Sequence, residues 1–208
     1  MPKPASADVD DSSTGDGLRL LTMGACLVMF LAHLAALSLS DGSAMRSPIS
    51  ELSRGAGASV HTIGLIIFGL AHLTLAAYLG KLKPPSWMWR IGVWLTALNG
   101  LGVMGIAAYF AMASNNQLLG PDANDPLSVL ASSVGVAMGL LIPGFKHLSA
   151  LAWRFNAVCL VIWLALIPLI LLLNASWFGA YERIVGAVLV CWVGGIALLA
   201  NRETQQRS

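Results

Sequence analysis

Six long apolar runs, separated by short polar segments, set the pattern of this chain. They cover about residues 18–40, 60–80, 88–113, 126–145, 155–174 and 181–200. Each has the roughly 20 apolar residues that a helix of about 1.5 Å rise per residue needs to cross a hydrocarbon core of about 30 Å. Every run is apolar around its whole circumference, whereas barrel strands would alternate polar with apolar positions, and a lipid-exposed backbone must satisfy its own hydrogen bonds. The pattern therefore predicts an all-α integral membrane bundle of six transmembrane helices. The connections agree: 41–58 carries Gly, Ser, Pro and four charges, 81–87 contains Pro84-Pro85, and 114–125 is rich in Ser, Asn, Gly, Pro and Asp. These are turn-forming residues, and the short links near 146–154 and 175–180 predict antiparallel neighbours.

Residues 1–17 read differently, with Pro2, Pro4 and the acids Asp8, Asp10, Asp11 and Asp16. Such a segment buries little apolar surface and is expected to be a disordered cytoplasmic tail, followed by an uncleaved first span; 201–208 forms a second cytoplasmic tail. Composition sharpens the class. Of the 208 residues, 57% are hydrophobic and 11% charged, where soluble chains are about 25% charged. Six spans put both termini on one side, and nine of the twelve Lys and Arg residues fall there, leaving Arg46, Arg54 and Arg183 opposite. That bias places both termini in the cytoplasm of a cell (inner) membrane protein. No compact basic cluster of the kind that reads nucleic acid is present.

The buried chemistry is sparse. No Asp, Glu, Lys or Arg occupies the middle third of a span, which disfavours a proton relay built on carboxylates. Intramembrane polar candidates are His33, His72 and Asn99. Haem ligation by His33 and His72 needs both imidazoles at one level, yet they are expected about 10 Å and 18 Å deep, and His61 misses His33 in the opposite direction by a similar amount of about 8 Å. Neither HExxH nor paired Cys or His spacing marks a metal site, so no metal and no cofactor is expected. Cys26, Cys159 and Cys191 are read as small buried residues. Stripes of small residues at Gly92, Thr96 and Gly100, and at Ala131, Gly135 and Gly139, let helix backbones approach, inside the bundle or, alternatively, across a homodimer.

The outer charges stand out. Ser47 can cap a short helix with Pro48 at its first position and Gly55 ending it, and this turn carries Glu51 and Arg54. Glu182 and Arg183 open the sixth span on the same side, and Asp122 lies before the fourth. Pairs such as Glu51 with Arg183, or Arg54 with Glu182, are geometrically possible. Glu51, Arg54, Asp122, Glu182 and Arg183 form the expected site for a lipid, a small ligand or a protein partner.

At these residues the chain resembles an uncharacterised six-helix membrane family of bacteria and archaea, catalogued as domain of unknown function 998. The resemblance is carried by Ile49-Ser50-Glu51-Leu52, Pro121 and Asp122, and Tyr181-Glu182-Arg183-Ile184 with Trp192, across about residues 18–200. A histidine that often opens the fourth span in that family is replaced here by Ser128 and Val129. The resemblance implies a fold and a membrane location but no reaction. The functional expectation is a non-catalytic binding bundle; the alternatives are an intramembrane enzyme or redox protein using His33, His61 or His72, and a small-solute transporter.

Overall fold

The computed structural model describes residues 7–40, 49–52, 55–82, 84–116, 125–169, 172–173 and 175–200. Among them the chain is entirely helical: α1 (Ala7–Ser38), α2 (Ile49–Leu52), α3 (Ala58–Leu82), α4 (Trp87–Asn116), α5 (Asp125–Leu148), α6 (Ala150–Leu169), a 3-10 turn (Ala175–Trp177) and α7 (Phe178–Leu199). Five stretches are long and apolar enough to cross a membrane: Ser13–Ser38, Ala58–Leu82, Trp87–Met112, Ala150–Leu169 and Phe178–Leu199. Helices of this kind suit a membrane protein. The remaining expected run, 126–145, falls within α5.

α1 begins at Ala7 and so extends into the segment expected to be a disordered tail. Further along α1, Asp16 pairs with Arg19 at 3.1 Å, three residues on.

Each long helix packs on the next in chain order, and α7 closes the ring on α1 while also touching α3. Two ends can be distinguished. At the terminal end, Arg19 donates from Nε to Ala197 O at 3.0 Å and from Nη2 to Leu198 O at 3.2 Å. These carbonyls belong to the last turn of α7, which leaves acceptors open and carries partial negative charge, so one guanidinium satisfies both needs. The same guanidinium lies 6.0 Å from the Tyr78 ring centre, and the Tyr78 hydroxyl donates to Ala200 O. At the opposite, loop end, α1 stops and α3 and α7 start.

The interior is tied by polar links as well as by packing. Trp192 Nε1 donates to Asn156 Oδ1 at 2.8 Å, and Asn156 Nδ2 donates to Met138 O at 2.9 Å, which joins α7, α6 and α5 through groups at or near zero exposure. Trp89 donates to Leu79 O at 3.2 Å and meets Phe145 edge to face. Trp94 instead is 71% exposed on the outside with Leu27, Val161 and Leu172, a distribution suited to lipid contact. Cys26 and Cys159 are buried as expected, whereas Cys191 is exposed.

The small-residue stripes lie at contacts within the chain. A Cβ on Gly92 would meet Leu141, one on Gly100 would meet Gly69 O and His72, and one on Gly135 would meet Trp163. α1 and the start of α3 also approach closely. A Cβ on Gly57 would lie 2.6 Å from Ala36 O, and one on Gly64 would lie 2.7 Å from Ala32 Cβ. Near the other end of this interface Thr22 and Thr74 share a hydrogen bond of 2.8 Å.

Candidate functional site

The tight α1–α3 contact places two imidazoles together at the loop end. His33 of α1 and His61 of α3 meet with ring centres 5.6 Å apart and planes inclined at 63°. Their juxtaposition overturns the expectation that His61 misses His33. α1 ends at Ser38 and not near residue 40, and α3 starts at Ala58 and not near residue 60. Each two-residue shift moves a ring by about 3 Å relative to the helix end, which removes about 6 Å of the expected mismatch of about 8 Å. Gly57 just before α3 and Gly64 within it, with Ala36 and Ala32 on α1, then allow the approach. Those small residues, flanking the two histidines, are the sequence signal that could have found the pair.

His61 is completely buried, and among the described residues neither of its ring nitrogens has a hydrogen-bond partner. A buried polar group left unpaired costs about 1–3 kcal/mol, so a native structure that carries one calls for a reason. His33 is only half-buried, so the pair grades from sealed to accessible.

α7 supplies the charge. Arg183 is partly buried, donates from Nη1 to Gly179 O of its own helix at 2.7 Å, and lies within electrostatic reach of both His33 and His61. Its neighbour Glu182 has a different task. Oε2 of Glu182 accepts the backbone N–H of Ile49 at 2.5 Å and so caps the start of α2 from another helix. A carboxylate at an uncapped N–H satisfies both the orphan donor and the helix dipole. Leu52, at the end of α2, is buried, and Ile49 reaches towards Gly186, so α2 is held over the start of α7.

Of the residues expected in the charge cluster, Glu182 and Arg183 are therefore at this end, Glu182 hydrogen-bonded to the start of α2 and Arg183 within electrostatic reach of the histidines. Arg54 and Asp122, with the cap expected at Ser47, lie outside the described residues, and of Glu51 only its place in α2 is described.

His72 and Asn99 belong elsewhere. His72 lies 11 residues beyond His61 on α3, so about 16 Å further along the axis. It is fully buried, stacks edge-on against Phe68 with centres 4.7 Å apart, and its Nδ1 is 3.0 Å from Phe68 O. A carbonyl only accepts, so Nδ1 carries the proton and Nε2 presents a lone pair. Asn99 is 2% exposed, and its Oδ1 accepts from the Ser133 hydroxyl of α5. These two residues lie on the α3–α4–α5 side of the bundle, with His72 Nε2 and Asn99 Nδ2 also buried without a hydrogen-bond partner among the described residues, and do not join the His33–His61 pair. Asn156, which joins α6 to its neighbours, was not singled out from the sequence because a single Asn in an apolar run has no periodic signature.

No group of three His, Cys, Asp or Glu placed to hold a metal ion occurs among the described residues. On both sides of the His33–His61 pair, Gly57 lies against Ala36 and Gly64 against Ala32 and Met29.

The chain matches no family model, no curated protein and no solved structure.

Proposed function

We propose that this is a non-catalytic multi-pass protein of the cell membrane, with both termini cytoplasmic, that binds the polar part of a lipid or small ligand at its outer end. His33, His61 and Arg183 would line the site, with α2 and its Glu51 above. The observation that carries this reading is His61: a sealed imidazole with two unpartnered nitrogens, packed against the half-buried His33 and within electrostatic reach of Arg183. A bundle that needed only packing there would be more stable with an apolar side chain, because replacing an unpaired polar group by a hydrocarbon removes its desolvation cost.

The experiment is native mass spectrometry of the protein released from membranes, with lipid analysis of what co-purifies. A species enriched over the bulk membrane, and depleted in Arg183→Ala, is the expected result. Equal lipid composition in both proteins and in the bulk membrane would count against a site at this end.

A further inference from the structure

We infer that the terminal end of α4, α5 and α6 is a docking surface for an anionic phospholipid, with Arg90, Lys146 and Arg154 around the headgroup phosphate and exposed apolar positions of α4 and α6 along the acyl chains. The inference concerns the end opposite the His33–His61 pair and does not depend on how that pair is read.

In three places the sequence sets a cation directly after an aromatic residue: Trp89-Arg90, Phe145-Lys146 and Trp153-Arg154. All three fall at helix ends on the same side. Arg90 is the fourth residue of α4, Lys146 lies in the last turn of α5, and Arg154 is the fifth residue of α6. The aromatic members lock these ends together. Trp89 and Phe145 are buried with ring centres 5.1 Å apart, and a Cβ on Gly144 would strike the Trp89 ring. Lys146 Nζ lies 5.4 Å from the centre of the Trp153 ring, which joins α5 to α6 in the same way. The inward aromatics thus hold the cations of three successive helices side by side, and Arg90, Lys146 and Arg154 are all exposed.

Their charge is uncompensated among the described residues. None of the three forms an ion pair there, and the salt bridge at this end joins Asp16 to Arg19. The helix termini neither add to this charge nor cancel it. α4 and α6 start here while α3 and α5 finish here, so their partial charges offset each other. Ser86 Oγ accepts from Trp89 N at 3.4 Å and Ser149 Oγ accepts from Ala152 N at 3.2 Å, so both helix starts already have a side-chain acceptor. What remains is side-chain charge, with two guanidinium forks matched to phosphate oxygens.

The surface next to the cations chooses a lipid over a soluble anion. Four residues beyond Arg90 on α4 is Trp94, 71% exposed, and four residues beyond Arg154 on α6 is Val158, 56% exposed. Residues four apart share a helix face, so each arginine heads an exposed apolar lane that begins about 6 Å deeper. Leu98 continues the first lane and Ile162 the second. A phosphate level with the cations places its acyl chains along these lanes, whereas a soluble polyanion would leave them unused. Basic side chains between helix ends are a recognised form of acidic-lipid site.

The test is native mass spectrometry of the full chain from mixed micelles of a non-ionic detergent with equal mole fractions of phosphatidylglycerol and phosphatidylcholine. Saturable retention of phosphatidylglycerol over phosphatidylcholine is expected. The preference should fall at least tenfold in Arg90→Gln/Arg154→Gln, since each cation near a membrane surface is worth about fivefold. Should that variant not fold, Lys146→Gln gives the second reading, with a loss of about fivefold. Equal retention of the two lipids by the wild-type chain would overturn the inference, as would an undiminished preference in the folded variant. Displacement of the lipid by glycerophosphoglycerol, which carries the headgroup without chains, would also overturn it and make the surface one for a soluble anion.

Discussion

Asn156 shows how much a single amide can hold inside an apolar bundle. Its two ends join Trp192 of α7 to Met138 of α5, and it is itself on α6. Asn156→Leu should cost about 1–3 kcal/mol, because Trp192 Nε1 and Met138 O would lose a partner where little water can replace it. Trp192→Phe in the Asn156→Leu background should recover part of that loss by removing the stranded donor. Thermal unfolding of the four proteins of this cycle measures the coupling; strictly additive losses would show that the hydrogen bond contributes nothing. His61 presents the converse situation, a buried polar side chain whose partners are missing among the described residues, which is why it reads as a site and Asn156 as a tie. Sequence could not separate the two cases, since partner satisfaction depends on which helix faces which.

The elements themselves were far more legible. A run of 20 apolar residues leaves the backbone one economical solution, and the helices of the bundle follow the apolar runs closely. Their ends were less legible, since polar residues such as Ser38, Ser40 and Ser59 tolerate either assignment, and a shift of two residues at each of two ends was enough to hide the His33–His61 pair. What fixes that pair is the α1–α3 contact. Gly57→Val should push the helices apart, because a Cβ there would lie 2.6 Å from Ala36 O and 2.8 Å from Ala36 Cα, backbone atoms that cannot swing aside. Overpacking of this kind costs about 1–3 kcal/mol. Gly80→Val in α3 is the control, as nothing lies within 4 Å of a Cβ at that position. A lower unfolding temperature in Gly57→Val, with no such loss in Gly80→Val, is the expected pattern; equal behaviour would show that the close approach contributes nothing to stability.

At the scale of the whole molecule, orientation sets what the site can meet. The bias of Lys and Arg toward the terminal end predicts that the loop end faces away from the cytoplasm. In a cysteine-free background, a cysteine at Ser40 should react with a membrane-impermeant maleimide added to intact cells, and one at Ser86 should react only after lysis. The reverse pattern would place the His33–His61 end in the cytoplasm. The ring of helices also depends on its two most distant parts. Arg19 and its acceptor Ala197 are 178 residues apart. At a synthesis rate of about 5–20 residues per second, α1 enters the membrane about 10–35 s before the carbonyls that Arg19 will engage have been made. For that interval its guanidinium lacks its α7 acceptors, and the bundle stands open along the seam that α7 will fill. α7 thus acts as the clasp, and the bundle acquires its closed form only once that helix has been made.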